Sequence, residues 1–361
     1  MKQILLNPGP VTLSARVREA LLRPDLCHRE PEFSALQRSI RERLLAVYAL
    51  DAAAWASILM TGSGTAAVEA MVSSLVPRGG TLLVAENGVY GERIRNMAER
   101  HGIDTLAAVS DWQGAIDVDA VREVLRENPR VTHVAAVHHE TTTGRLNDLA
   151  PLAAVCREHG VLLLLDSVSS FGAELIDFAQ WPIAACAATA NKCLHGVPGT
   201  SFVIARREAL AATNPQRSLY LDLNAYLANQ DGGGTPFTQS VQTFYALDEA
   251  LAEFFDEGGW RARQARYRAR QSAIRDKLLG LGVEPLLDAS VSSCVLQAFR
   301  LPVGLGYQAL HDGLKRRGFV IYAGQGKLAA GIFRISAMGD IDDADLARLL
   351  GALEAEITAS S

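Results

Sequence analysis

Apolar residues follow two rhythms along this chain. From Ser57 to Ala205, short unbroken apolar runs alternate with stretches whose apolar positions repeat every three to four residues. The runs at Ser57–Met60, Thr81–Ala85, Asp104–Val109, His133–His138 and Val161–Leu165 read as strands, and so do the two apolar runs on either side of Lys192. Between the strands, Ala66–Leu75, Gly91–His101, Asp117–Arg126 and Leu149–His159 read as helices. Strands without polar alternation need cover on both faces, which a mostly parallel sheet receives from helices packed on either side. The expected architecture is therefore α/β, with a doubly wound, mostly parallel sheet in a large domain.

The flanks behave differently. Residues 1–13 read as extended, Leu13–Leu22 as a short helix capped by Thr12 or Ser14, and Cys27–Phe33 as a loop. Glu32–Tyr48 has helical spacing, with Phe33, Leu36, Ile40 and Leu44 on one face. Between Pro215 and Thr238 the rhythm stops at a flexible segment, Asp231-Gly232-Gly233-Gly234. A long helical stretch, Val241–Leu279, follows and is interrupted at Gly258-Gly259. Strands at Cys294–Phe299, Phe319–Tyr322 and Ile332–Ile335, with helices at Gly306–Arg317 and Asp342–Thr358, predict a small α+β domain with an antiparallel sheet. The expected division is an arm over 1–20, a large domain over 21–245, and a linking helix with the small C-terminal domain over 246–361.

Composition removes several function classes. The 361 residues carry a net charge of −5, with no basic run to attract nucleic acid or an anionic membrane. No apolar stretch reaches the roughly 18 residues that span a bilayer, and proline interrupts the start too early for a signal peptide. The five cysteines include no Cys-x-x-Cys or zinc-ligand spacing. They read as reduced thiols of a cytoplasmic protein, with Cys193 a small apolar filler rather than a nucleophile. No metal site is expected.

The candidate chemistry gathers at strand ends. Lys192 stands in a polar turn between two apolar runs, and alone it would pass for a surface lysine in a hairpin. Upstream, Val161–Leu165 ends in Asp166. A strand-final aspartate and a strand-flanked lysine together suggest pyridoxal phosphate, with Asp166 on the pyridinium nitrogen and Lys192 forming the Schiff base. Gly62-Ser63-Gly64-Thr65 joins a strand to a helix, where small residues and free N–H groups suit a phosphate; it is neither a P-loop nor Gly-x-Gly-x-x-Gly. Tyr90, in Asn87-Gly88-Val89-Tyr90-Gly91, either stacks on a flat ring or packs beneath its own helix. Thr141, in Glu140-Thr141-Thr142-Thr143-Gly144, either bonds the cofactor's phenolic oxygen or is part of a polar turn. All these positions lie at carboxyl ends of strands, where open α/β sheets bind ligands. A protein that merely binds a phosphorylated ligand at Gly62–Thr65 would leave Asp166 and Lys192 without a purpose.

Over essentially its whole length the chain resembles the class V aminotransferases of fold type I, and most closely their phosphonate branch. The resemblance rests on Asn7-Pro8-Gly9-Pro10, the stretches quoted above, Asp166–Gly172, Asn191–Gly199, Arg217–Asp222, Gly318–Tyr322 and Phe333-Arg334-Ile335. It implies that Lys192 and Asp166 are catalytic and that Ser63, Gly64 and Thr65 hold the phosphate of pyridoxal 5'-phosphate. Tyr90 stacks on the ring, Thr141 contacts it, and Thr238 reaches the phosphate of a neighbouring subunit, so that a homodimer shares its sites. Arg334 would bind the substrate's acidic group through a two-pronged fork, with Arg29 as a second cation or as a partner of Glu30 or Glu32. The implied reaction takes the amine of 2-aminoethylphosphonate to pyruvate. Three departures keep other substrates open: the Cys27-His28-Arg29-Glu30 loop, His195, and Gln239-Ser240. The alternatives are serine or alanine with glyoxylate or pyruvate, and phosphonopyruvate.

Overall fold

The computed structural model describes residues 2–359 and centres on a seven-stranded sheet. In spatial order its strands are Trp55–Gly62, Gly199–Arg206, Ile183–Thr189, Leu162–Asp166, Val131–Val137, Thr81–Glu86 and Asp104–Val109. Gly199–Arg206 runs antiparallel to both neighbours and every other pairing is parallel. Both faces are buried. Leu163 and Leu165 enter one apolar cluster with Phe202 and Phe244, while Leu164 enters the opposite cluster with Met71 and Tyr226. That two-sided burial is why these strands read as unbroken apolar runs.

Helices lie close to the expected positions, with shifted ends. Gly64–Leu75 begins two residues early, directly at the glycine-rich turn. Val89–Arg100 also begins early, which puts Tyr90 in its first turn rather than in a loop. Pro31–Ala46 absorbs the end of the expected Cys27–Phe33 loop, since proline fits a first helical position. Ser14, not Thr12, caps the Ala15–Ala20 helix by accepting the Val17 N–H. Thr12 turns the other way and accepts the Leu5 N–H at 2.8 Å. Ahead of the glycine segment expected to be flexible, the stretch between Pro215 and Thr238 contains a helix at Leu223–Asp231. Its cap Asp222 accepts the Asn224 and Ala225 N–H groups. Buried Tyr226 and Gln230 hold it, the latter hydrogen-bonding both the N–H and C=O of Leu59.

The long helical stretch breaks at Gly258 into Val241–Asp256 and Gly259–Gly280. The Val241–Asp256 helix, which a division at 245/246 would cut, packs on Ala15–Ala20 and Pro31–Ala46. Beyond it, Leu296–Arg300, Ile332–Ser336 and Tyr322–Ala323 form an antiparallel sheet with Ile332–Ser336 in the middle. Phe319–Val320 instead pairs in parallel with Ile4–Leu5 of the N-terminal arm. The Ser336 N–H also donates to the Leu6 carbonyl at 2.8 Å. The arm is thus stitched to the small sheet by main-chain hydrogen bonds, and this positions residues 7–10. Among the described residues no helix is long and apolar enough to cross a membrane.

Candidate active site

The register of the parallel strands sets Asp166 beside Val137 on one neighbour and Ala187 on the other. Gly62, Glu86, Val137, Asp166 and Thr189 therefore end five strands at one edge of the sheet, and the chain past each of them builds the site. Asp166 is buried, and its Oδ1 accepts the Val168 N–H at 3.0 Å. No lysine or arginine pairs with it among the described residues. Burial pushes its carboxyl up to about 6, against the opposing pull of the Val168 N–H and the charges of Lys192 and Arg93.

Lys192 follows the Ile183–Thr189 strand in a tight turn. Its Nζ donates to the Pro8 carbonyl. Burial lowers its amine to about 8, with Arg334 and Arg93 acting in the same direction and Asp166 opposing. Gly9 lies against the lysine stem at φ +114°, where a β-carbon would sit 2.7 Å from Lys192 Cδ. Only glycine accommodates both that backbone and that approach. His195, at φ 62°, braces the turn from behind. It stacks on Tyr267 and its Nε2 accepts the Gly339 N–H at 2.9 Å. Burial drives its pKa well down, so it serves as a neutral strut. Cys193 is buried and its thiol is pushed up to about 12, in keeping with a filler.

A small cavity of about 30 Å³ opens between the first turns of Gly64–Leu75 and Val89–Arg100, lined by Gly64, Thr65, Tyr90, Arg93, Asp166 and Val168 among others. Ser63 is extended at the helix start and its side chain makes no capping bond, which leaves the Gly64 and Thr65 N–H groups without a side-chain cap. At Gly64 a β-carbon would lie 2.8 Å from Val168, so the turn admits no larger residue without displacement. The Arg93 guanidinium lies 4.7 Å from the centre of the half-buried Tyr90 ring.

Behind the ring position, Glu140 is fully buried. One carboxylate oxygen accepts the Tyr90 N–H at 3.3 Å and the other accepts the Thr142 N–H at 3.0 Å. Burial raises its carboxyl to about 7. A β-carbon on Gly88 would fall 2.2 Å from Glu140 Cδ, so the two residues interlock. Thr141 Oγ1, Thr143 Oγ1 and His139 Nε2 are buried without a hydrogen-bond partner.

Arg334 comes from the middle of the small sheet and is completely buried. Nε donates to the Ala323 carbonyl at 2.8 Å, and Nη1 donates to the Thr141 carbonyl at 2.8 Å and to Gln325 Oε1 at 3.1 Å. Nη2 has no partner. The expected open fork is thus largely committed within the protein. Arg29 and Thr238 stand apart from this cluster. Both are exposed and neither enters the contacts of Lys192, Asp166 or Arg334. No ion pair joins Arg29 to Glu30 or Glu32. Gln239 and Ser240 are bonded to Thr61, just before the glycine turn, which leaves Thr238 facing outward.

The pocket suits pyridoxal phosphate by its donor set. It offers a buried carboxyl lacking a cation, the uncapped start of a helix with a threonine for an anion, and the Tyr90 ring, while the unpartnered Thr141 hydroxyl lies outside its lining. Sequence reasoning missed Pro8, Gly9, Glu140 and Gln325. The quoted Asn7-Pro8-Gly9-Pro10 and Glu140–Gly144 stretches were signals for the first three, but nothing in the sequence pattern marked Gln325.

Comparison with known proteins agrees. The model of the family Aminotransferase class-V matches residues 22–303. A 2-aminoethylphosphonate–pyruvate transaminase of Bacillus mycoides is 37% identical over 97% of this chain and 96% of its own length. The crystal structure of an aspartate aminotransferase of subgroup IV from Thermus thermophilus superposes with a TM-score of 0.90 at 28% identity, covering 99% of this chain and 100% of that one. An alanine–glyoxylate aminotransferase from Nostoc sp. gives a TM-score of 0.91 at 26% identity, covering 99% and 96%.

Proposed function

The chain belongs to the class V aminotransferases, which use pyridoxal phosphate, and we propose that it moves the amino group of 2-aminoethylphosphonate to pyruvate, giving phosphonoacetaldehyde and L-alanine. The observation that carries the reading to this substrate class is the buried Arg334 with its unpaired Nη2, set against Thr141 at the strand-end edge. 2-Aminoethylphosphonate has no α-carboxylate, so its phosphonate is its one strong handle, and a guanidinium suits that group and pyruvate's carboxylate alternately.

When bound, pyridoxal phosphate supplies a carbonyl that captures the amine and a ring that draws electrons from the adjacent carbon. The residues do the rest in our reading. Ser63, Gly64 and Thr65 hold the phosphate at the helix N-terminus. Tyr90 lies under the ring, Glu140 fixes the turn that carries it, and the Thr141 hydroxyl meets the phenolic oxygen. Asp166 keeps a proton on the ring nitrogen. Lys192, with its amine lowered to about 8, would take the proton from the donor's amine-bearing carbon and deliver it to the cofactor carbon bonded to the same nitrogen.

The test is a donor screen by steady-state kinetics, with 2-aminoethylphosphonate, L-serine and L-alanine competing before pyruvate or glyoxylate. The phosphonate donor with pyruvate is expected to give the highest kcat/KM. A higher value for serine or alanine transfers the assignment to a serine or alanine transaminase. In the same assays Arg334→Lys should lower kcat/KM for donor and acceptor alike, on the order of 10²-fold. It removes the free Nη2 and also abandons carbonyls that the guanidinium now satisfies. A loss confined to one half-reaction would mean that a second cation serves the other.

Thr238 faces outward, away from its own protomer's cluster, which supports its serving a neighbour's phosphate in a homodimer with shared sites. Sedimentation at assay concentration should find a dimer, and a fully active monomer would overturn this arrangement. All five cysteines are free thiols, in keeping with a cytoplasmic enzyme.

A further inference from the structure

Building on Arg334 as the anchor for the substrate's acidic group, we propose that Gln325 is a displaceable partner of that arginine and sets how tightly acids bind. A guanidinium has five N–H groups. Three are taken by Ala323 O, Thr141 O and Gln325 Oε1, and the two on Nη2 are unpartnered.

The three acceptors are not alike. Ala323 is registered against Phe333 in the small sheet, and its carbonyl cannot leave without opening that edge. Thr141 belongs to the segment folded around Glu140, which accepts the Thr142 N–H through its side chain and the Thr143 and Gly144 N–H groups through its carbonyl. Gln325 offers a side chain, which is only half-buried. Its backbone is separately fixed: the Gly324 N–H donates to Ile332 O at 3.1 Å and the Leu328 N–H to Gln325 O at 3.0 Å. The amide can therefore rotate away while the loop stays in place.

The loop is also docked on its far side. Lys327 Nζ lies 4.4 Å from the Trp112 ring centre, and a β-carbon on Gly326 would stand 2.7 Å from that ring. Gln325 is thus presented to Arg334 from a held segment, bridging the small sheet and the flank of the large one.

Chemistry gives the direction of exchange. An acid arriving at Nη2 gains one charge-assisted hydrogen bond. Taking Nη1 as well gives it a second, and a carboxylate or phosphonate oxygen accepts more strongly than a neutral amide oxygen. The substrate therefore replaces Gln325 at Nη1, and each binding event bears the loss of the amide's bond.

The experiment uses the loaded enzyme and two unreactive acids, methylphosphonate and acetate, as competitive inhibitors. Gln325→Ala removes the competitor and should lower both inhibition constants, by about tenfold for one hydrogen bond from a charged donor no longer displaced. Gln325→Glu installs a charged competitor and should raise both by at least about tenfold. Opposite shifts from the two variants support the inference. Any other pattern overturns it, including a rise with both variants, which would make Gln325 a brace that steadies Arg334. Arg334→Ala separates the two readings. If it leaves inhibition intact, the anchor assignment fails together with this one. If it abolishes inhibition while the Gln325 variants change nothing, this inference fails alone.

Discussion

Lys192→Ala is expected to abolish transamination while leaving a folded protein that still takes up pyridoxal phosphate. In the proposed reaction the residue would hold two tasks, covalent capture of the cofactor and proton transfer at the reacting carbon, so turnover should fall on the order of 10³-fold or more. The proposed phosphate contacts at Ser63–Thr65, the face of Tyr90 and the carboxylate of Asp166 would all remain, so the cofactor should be retained without a covalent bond. Borohydride reduction of the wild type should fix the cofactor to the peptide that contains Lys192, and label on any other lysine would sink the assignment. The shifted pKa adds a pH signature. With its amine lowered from 10.5 to about 8 by burial, about a tenth of the molecules carry the neutral, reactive amine at pH 7, against well under a thousandth for an ordinary lysine. Uptake of the aldehyde by cofactor-free protein should therefore accelerate with pH up to about 8 and then level off. A rate that keeps climbing towards pH 10 would mean that Lys192 is not desolvated as described. Removing the lysine also frees the Pro8 carbonyl and the space beside Gly9, so Gly9→Ala, harmful to the wild type, should be tolerated better beside Lys192→Ala.

Much of this site could be read from the chain because the sheet does the positioning. A parallel strand buried on both faces leaves an unbroken apolar signature, and the polar residue that ends it must stand at the sheet's edge. Asp166, Lys192, Tyr90 and the Gly62–Thr65 turn were each ambiguous alone, and only their common place at or just beyond strand ends pointed to a site. Arg334 was legible only through resemblance, since Phe333-Arg334-Ile335 looks like any strand with one polar residue. Its hydrogen bonds explain the limit. Its partners Thr141 and Gln325 are far along the chain or in a loop of small residues without periodicity, and a main-chain acceptor leaves no trace in side-chain pattern. The same holds for Pro8 and Gly9, whose approach to Lys192 depends on a parallel pairing of Ile4–Leu5 with Phe319–Val320. The Leu223–Asp231 helix was hidden for a related reason. Its hold on the sheet comes from Gln230 bonding Leu59, a polar residue where periodicity looks for an apolar one, and the glycines that follow drew the reading towards a loop.

Asp166→Asn should cut turnover on the order of 10²-fold or more while making the cofactor-free protein more stable at neutral pH. The first effect follows from charge. In the proposed site the aspartate would form a charge-assisted pair with a protonated ring nitrogen, which an amide of the same shape does not replace, and stabilisation of developing charge would be lost with it. The second follows from burial. Without its partner the carboxyl is pushed from 3.8 up to about 6, so the folded state binds this proton more tightly than the unfolded one. Stability therefore falls as pH rises between those values, and the whole penalty, on the order of 3 kcal/mol, is present above pH 6. Asparagine carries no such penalty. Thermal unfolding of the two cofactor-free proteins should show the variant melting higher at pH 8, with the gap closing near pH 4. Adding pyridoxal phosphate should shrink or reverse the difference, because binding to the folded state stabilises the wild type more. A variant with near-normal turnover would refute the role of Asp166 at the ring nitrogen. One that lost turnover through unfolding would instead melt lower at every pH, and that outcome would make the aspartate structural.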